Sequence, residues 1–338
     1  MAEKVTIQHI ADALGLSRNT VSKALNNHPQ IPEQTRERVL QKAAELKYKN
    51  FSQISSMKIG NIALLTRGDI NAISFYSETI KGMETRLSAQ GYNLILTLVK
   101  PEDIRSNTLP ANINQFNVDG IVCIEIFDRA YIQTILDTQI PTVFIDFIPN
   151  AVFSDYHYDV ILMESEYAIY SLTRSLLETG HTELGFIGDY NHCRSFHERW
   201  IGFNRAIWDY RLERQTGYNI TLEDNNPYLS VEWMVKQLQG LKALPTAFVC
   251  TNDDIGITVI RALKELGHQV PEQIEVTGFD DVANAEIISP PLTTVHTYPY
   301  DLGTRVVECL LTRIDQPARH NETIYLESRV IRRGSTKS

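Results

Sequence analysis

The sequence predicts a multidomain chain, with a small all-α head on a two-lobed α/β body built on parallel sheets. Three observations predict it. A length of 338 residues allows two or three domains of ordinary size. The first 48 residues carry three helix-like stretches and no strand pattern. From residue 59 onward, short apolar runs alternate with amphipathic stretches, as parallel strands covered on both faces by helices require. Composition is globular, with 43% hydrophobic and 22% charged residues, which excludes long disorder and fibrous repeats. No apolar run reaches the roughly 18 residues of a membrane span, so no membrane partner is expected. Met-Ala-Glu-Lys leads into a polar stretch, so no secretory signal is expected. Cys123, Cys193, Cys250 and Cys309 stand far apart, which fits neither a metal site nor a disulfide framework and suits a reducing cytoplasm.

The head, residues 1–48, is read first. Thr6 can cap a helix over 6–14, whose apolar face is Ile7, Ile10, Ala11 and Leu14. Gly15 can take the positive φ that ends it, and Ser17 can cap the next helix, 18–25, with Val21, Ala24 and Leu25 on its apolar side. Small Ala11, Gly15 in the turn and branched Val21 have the spacing of a helix-turn-helix, in which two helices cross closely. Arg18, Asn19 and Lys23 then face outward, with the chemistry that reads guanine and adenine edges in a major groove. Thr6, Ser17, Thr20, Ser22 and Asn26 fit phosphate contacts or helix caps. A third helix starts at Pro32 and runs to about Tyr48, burying Val39, Leu40, Ala43 and Leu46. Its Arg36, Arg38 and Lys42 read as a solvated face, with a phosphate contact among them as the alternative. Charge agrees with a DNA partner. The chain totals −9, but residues 1–58, the head with its linker, carry nine basic against five acidic side chains, so that segment is +4 and the rest −13.

Residues 49–58 form a short polar linker, and 59–338 the body. Strands are expected at 61–66, 93–99, 119–124, 141–146, 183–188, 246–251 and 274–279. Helices are expected near 76–90, 128–138, 164–179, 197–212, 231–239, 254–267 and 299–313. Two lobes suit so many strands, one about 59–162 with 295–323, the other about 163–294 with 324–334. Ligands of open parallel sheets bind beyond the carboxyl ends of strands. Those ends carry Thr66, Asp146, Asp189, Asn252, Asp253, Asp280 and Asp281. Carboxylates and an amide there suit a ligand rich in hydroxyl donors, such as a sugar, while each is equally readable as a cap or turn residue. Arg199 adds a cation. Phe75 and Tyr76 suit a ring face or core packing.

Catalysis finds little support. No glycine-rich phosphate loop, H-E-x-x-H or G-x-S-x-G occurs. His192 beside Cys193 is the nearest approach to a nucleophile pair and reads as loop chemistry without consequence. No cofactor, catalytic residue or metal ligand is expected.

Thr6 to Asn26 (TIQHIADALGLSRNTVSKALN), Thr251-Asn252-Asp253, Val270-Pro271-Glu272, Gly278-Phe279-Asp280-Asp281 and Ser289 to Val295 (SPPLTTV) resemble the lactose-repressor/galactose-repressor (LacI/GalR) family of bacterial transcription regulators. Asp119-Gly120-Ile121 and Glu198 to Phe203 match more weakly, and the resemblance spans nearly the whole chain. It implies a homodimer with paired heads on near-palindromic operator DNA. It also implies a periplasmic-binding-protein-like (type I) body holding a small effector, often a sugar, between its lobes. By motif, Arg18, Asn19 and Lys23 resemble the base readers. Asp146, Arg199, Asn252 and Asp280 resemble polar effector contacts, and Phe75 and Tyr76 lining aromatics. The chain is thus expected to be an effector-controlled regulator, most simply a repressor of sugar-use genes. A purine effector, a pure ligand-binding protein and a sugar-processing enzyme are the rivals.

Two departures stand out. The family's longer hinge carries a helix whose Leu wedges into the minor groove. Here about ten residues separate Tyr48 from Ile59, with only Phe51, Ile54 and Met57 at helical spacing. The linker is expected to stay largely extended or irregular without DNA and to bend the operator less than hinge-helix relatives do, the alternative being a helix folded on DNA with Ile54 or Met57 as a smaller wedge. The Asp-Asn pair usual before the second lobe's first helix is Glu164-Ser165.

Overall fold

The computed structural model describes residues 5–25, 31–46, 48, 60–67, 76–111, 113, 118–212 and 216–337. The linker 49–58, with Phe51, Ile54 and Met57, lies outside them, as do Asn26 and Phe75.

The head holds α1 (Ile7–Leu14), α2 (Arg18–Leu25) and α3 (Glu33–Glu45). Gly15 ends α1 with φ +66°, a conformation open to glycine at no steric cost. Ser17 starts α2: its Oγ accepts from Thr20 N–H at 3.0 Å. Ile10, Ala11, Val21 and Val39 are fully buried in the small core where the three helices meet, with Ala24, Leu25 and Ala43. Ala11 and Val21 are the small and branched residues that set the crossing of α1 and α2.

The body is an alternating α/β chain. Its first part runs β1 (Gly60–Arg67), α4 (Ser77–Ala89), β2 (Tyr92–Val99), α5 (Pro101–Ser106), β3 (Val118–Ile124), α6 (Arg129–Asp137), β4 (Thr142–Ile145) and β5 (Tyr158–Met163). It continues with α7 (Glu166–Glu178), β6 (Leu184–Ile187), α8 (Arg194–Asp209), α9 (Val231–Gly240), β7 (Ala247–Cys250), α10 (Asp253–Glu265), β8 (Glu275–Thr277) and α11 (Ala283–Ile287). It closes with β9 (Thr294–His296), α12 (Pro299–Asp315), β10 (Thr323–Leu326) and β11 (Arg329–Ile331).

Two parallel sheets centre the two lobes. One has six strands in the order β10-β5-β4-β3-β1-β2, the other three in the order β6-β7-β8. In the first, Cys123, Phe144 and Val160 stand side by side across β3, β4 and β5, and all three point into one buried cluster. In the second, strands of the type Leu184-Gly185-Phe186-Ile187 are buried along their whole length, as a sheet covered on both faces demands.

Four strands escape the sequence pattern. Asp159 interrupts the apolar run of β5, and β9, β10 and β11 have only three or four residues each. The lobe boundaries move accordingly. Thr323–Leu326 pair in parallel with β5, so they extend the six-stranded sheet and do not start the second lobe's last segment. β9 pairs antiparallel with β11 and bridges to the end of β8, so the stretch from 295 crosses into the first lobe only after His296. Helix α8 begins at Arg194, three residues before its expected start, with Cys193 at the cap position.

Candidate functional site

On the head, Arg18 and Asn19 lie at the start of α2 with their side chains exposed, and Ser22 and Lys23 are half-buried one turn on. Ser17 and Thr20 share a hydroxyl–hydroxyl hydrogen bond of 2.7 Å beside the cap. Thr6 is exposed just before α1, its N–H 3.4 Å from His9 Nδ1. The α2 face therefore offers a guanidinium, an ammonium and an amide on one rigid helix, with the small hydroxyls around its N-terminus.

In the body, a cleft of about 500 Å³ opens between the lobes, beyond the carboxyl ends of the strands. Glu125 and Phe127 follow β3, Asp146 follows β4, His192 follows β6, Asn252 follows β7 and Asp280 follows β8. Of the expected effector residues, Tyr76, Asp146, Arg199, Asn252 and Asp280 all line this cleft.

Their commitments differ. Asp146 sits at φ +62°; its Oδ1 accepts from Phe147 N–H at 2.6 Å and Ser195 N–H at 3.1 Å, and its Oδ2 from Ser195 Oγ–H at 2.6 Å. Asn252 caps α10 by accepting from Ile255 N–H at 3.0 Å. Arg199 is buried, with its guanidinium 3.6 Å from the centre of the Phe279 ring and 5.1 Å from that of Phe196. It donates to the Thr251 carbonyl and, at 3.5 Å, to Asp280 Oδ1. Its Nε has no partner among the described residues. Burial pushes the Asp280 carboxyl up to about 7; Arg199 opposes this only in part, and Asp254 and Asp146 add to it. Burial likewise holds the Tyr76 phenol well above its ordinary value.

Other strand-end carboxylates are used elsewhere. Asp189 accepts from Asn191 and Asp224 N–H groups and so braces a loop. Asp253 is wholly buried against Thr294 and Val282. Asp281 pairs with Arg333 at 2.6 Å and His296 at 2.7 Å.

Sequence reasoning missed several lining residues. His192, set aside above, borders the cleft with Nδ1 3.1 Å from Asp224 Oδ2 and its ring edge-on to Phe127 at 5.0 Å. Burial lowers its pKa, but the hydrogen bond to Asp224 together with the negative charges of Asp224, Asp146 and Glu125 outweighs that and leaves it raised. Glu125, Phe196, Tyr228 and Asp254 also line the cleft. The signal that could have found Glu125 is its place directly after a strand. Nothing local marks Asp224 or Tyr228, which arrive on a long loop.

No metal site emerges from Asp159, Cys309 and Glu322, a cluster compact enough for an ion. Arg313 and Arg319 already occupy both Asp159 oxygens, and two cations there exclude a third.

Comparison with known proteins fits both surfaces. Residues 6–50 match the profile described as bacterial regulatory proteins, lacI family, and residues 173–336 the periplasmic binding protein-like domain. The HTH-type transcriptional repressor PurR of Haemophilus influenzae (strain PittEE) is 30% identical over 349 residues, covering 98% of this chain and 99% of the relative. The chain belongs to the lacI family. It is therefore a DNA-binding transcriptional regulator with a periplasmic-binding-protein-like effector domain, in a family of regulators and not of enzymes. PurR of Aliivibrio salmonicida is 28% identical over 335 residues, covering 98% of each chain. Two solved structures share the lacI-family fold at 22% identity and TM-score 0.71. One is a lac repressor dimer bound to operator and the anti-inducer ONPF, with 99% of this chain and 100% of that one covered. The other is a complex of the regulator CelR with cellobiose, with 98% and 99% covered. No described helix is long and apolar enough to cross a membrane.

Proposed function

We propose that this regulator is a homodimeric repressor of carbohydrate-use genes. It reads a near-palindromic operator with its two α2 helices and answers to an uncharged sugar held between the lobes. The pairing of Arg199 with Asp280 carries the effector half of this reading. A buried guanidinium with an unpaired Nε and a carboxyl held at about 7 form an incompletely satisfied polar floor. A ligand with both hydroxyl donors and oxygen acceptors completes it. Asp254, Asn252 and Asp146 add acceptors, while Tyr76, Phe127 and Phe196 offer flat faces to the C–H side of a sugar ring. Carboxylates outnumber cations around the cleft, which disfavours an anionic ligand. On the head, Arg18, Asn19 and Lys23 are the base readers, with Thr6, Ser17, Thr20, Ser22 and Asn26 on phosphates.

A thermal-shift screen of neutral sugars, sugar phosphates and purine bases tests the effector, since a cleft ligand stabilises the folded state by mass action. Stabilisation by neutral sugars, with a matching change in operator gel shifts, is the expected result. Stabilisation by purine bases alone replaces the sugar with a purine. For DNA, selection from random duplexes is expected to return a near-palindrome. Arg18→Ala and Lys23→Ala should each weaken binding to it by about 1–3 kcal/mol and weaken random DNA less. Equal losses on both would reduce these residues to phosphate contacts.

A further inference from the structure

The first two turns of α8 belong to the three-stranded lobe, yet they grip the six-stranded lobe at three places. Arg194 N–H donates to the Phe147 carbonyl at 2.7 Å. Ser195 donates its N–H and hydroxyl to Asp146. One turn further along, Tyr325 on β10 donates its hydroxyl to Glu198 Oε1 at 2.6 Å and accepts from Arg194 Nη2 at 2.7 Å. Arg194 Nε closes the triangle, donating to the same Glu198 oxygen at 3.0 Å. The guanidinium also lies 5.7 Å from the centre of the Tyr325 ring.

The third grip stands apart from the effector cleft, which Arg194, Glu198 and Tyr325 do not line. It joins α8 to the strand at the edge of the first sheet. Glu198 also directly precedes Arg199, so whatever fixes Glu198 fixes the turn that carries the cleft's guanidinium.

We propose that Arg194, Glu198 and Tyr325 form a clasp that holds the two lobes closed without any ligand, and that its release lets them part. Two features suit it to release as well as closure. Glu198 Oε2 is buried without a partner among the described residues, so closure leaves one acceptor unsatisfied that opening would hydrate. The tyrosine is 43% exposed, so water can replace its hydroxyl contacts without a cavity forming. Such a clasp makes closure a balance between two states, which an effector shifts through its different affinity for each. The clasp is independent of which effector the cleft takes.

Inter-lobe distances measured by electron–electron double resonance test it in the ligand-free full chain. Spin labels go on Ala130→Cys in the first lobe and Lys242→Cys in the second, both exposed positions, while the four native cysteines are buried. The parent should give one dominant distance. Tyr325→Phe keeps the ring and removes only the hydroxyl. It should raise the share of a second, longer distance by about three- to tenfold, the loss of a half-exposed hydrogen bond to a charged group. Glu198→Gln, which keeps an acceptor oxygen but loses the charge, should fall between the two. Melting curves establish that each variant is folded. Should Tyr325→Phe fail to fold, Glu198→Gln decides alone. Folded variants with the parent's distance distribution overturn the clasp, as does a parent already split between two distances that neither variant shifts.

Discussion

Two arginine–aspartate pairs of the described body, Arg313 with Asp159 and Arg199 with Asp280, have opposite characters. Arg313 on α12 meets Asp159 on β5 with nothing left over. It donates from Nε at 3.0 Å and from Nη2 to the two carboxylate oxygens, and from Nη1 to the Arg319 carbonyl at 2.7 Å. Arg319 and the Glu322 N–H complete the carboxylate's shell. Burial pushes Asp159 up, but the hydrogen bonds from Arg313 and Arg319 outweigh it and hold the carboxyl below its ordinary range. Arg199 and Asp280 touch once, at 3.5 Å, with one guanidinium nitrogen unpaired and the carboxyl raised. Both arginines are almost wholly buried, at 1% and 4% exposure. Burial alone therefore does not distinguish the two pairs; the difference is whether the protein has used every donor and acceptor itself.

The largest expected effect breaks the saturated pair. Arg313→Met leaves the Asp159 charge buried with one arginine fewer, and removing one partner of such a pair typically costs about 3–5 kcal/mol. Urea denaturation should show this as a lower midpoint at nearly constant slope. The double variant Arg313→Met with Asp159→Asn should be less destabilised than Arg313→Met alone, because no naked charge remains. Equal losses in the single and double variants would mean that packing, and not charge, dominates there.

The same contrast explains what the sequence could reveal. The head was legible because its signals are local: Ala11, Gly15 and Val21 lie within eleven residues and their roles follow from helix geometry. The alternation of the body was legible for long apolar strands and failed at β5, where Asp159 looks like a loop residue until Arg313, 154 positions away, is brought against it. The cleft was half legible. The rule of strand ends picked Asp146, Asn252 and Asp280, but it picked Asp189 and Asp281 equally. Only the structure shows that a loop and Arg333 consume those two. The place of His192 on the cleft was not legible because its partner, Asp224, is invisible from its neighbours in sequence.

A smaller effect is expected at the unsaturated pair. Arg199→Ala removes one long charge contact, one carbonyl contact and the stack on Phe279. It should destabilise by about 1.5–3 kcal/mol, less than Arg313→Met. Arg199→Ala and Asp280→Ala should both abolish the effector's influence on operator gel shifts while leaving operator affinity without effector nearly unchanged. A variant that still responds at the parent's ligand concentration would remove these residues from the site.

The smallest effect separates the pairs by pH. The Asp280 carboxyl stands at about 7 in the folded chain against an ordinary 3.8, so folding favours its protonated form. Its contribution to stability is complete below about 3.8 and is lost as pH rises to about 7. Asp253 acts in the same direction: burial first, then Asp280, hold it at about 8. Asp159 acts in the opposite sense. Its lowered carboxyl contributes fully above the ordinary value and loses that contribution only as pH falls through its depressed folded value. The two windows barely overlap, so chemical denaturation from pH 3 to 8 can resolve them. Asp280→Asn should flatten the decline between about pH 4 and 7 and leave the acid limb alone. Asp159→Asn should do the reverse, on a lower overall stability. If Asp280→Asn leaves the slope above pH 4 unchanged, Asp280 is ionised throughout that range, and the polar floor of the cleft is as saturated as the pair beneath the first sheet.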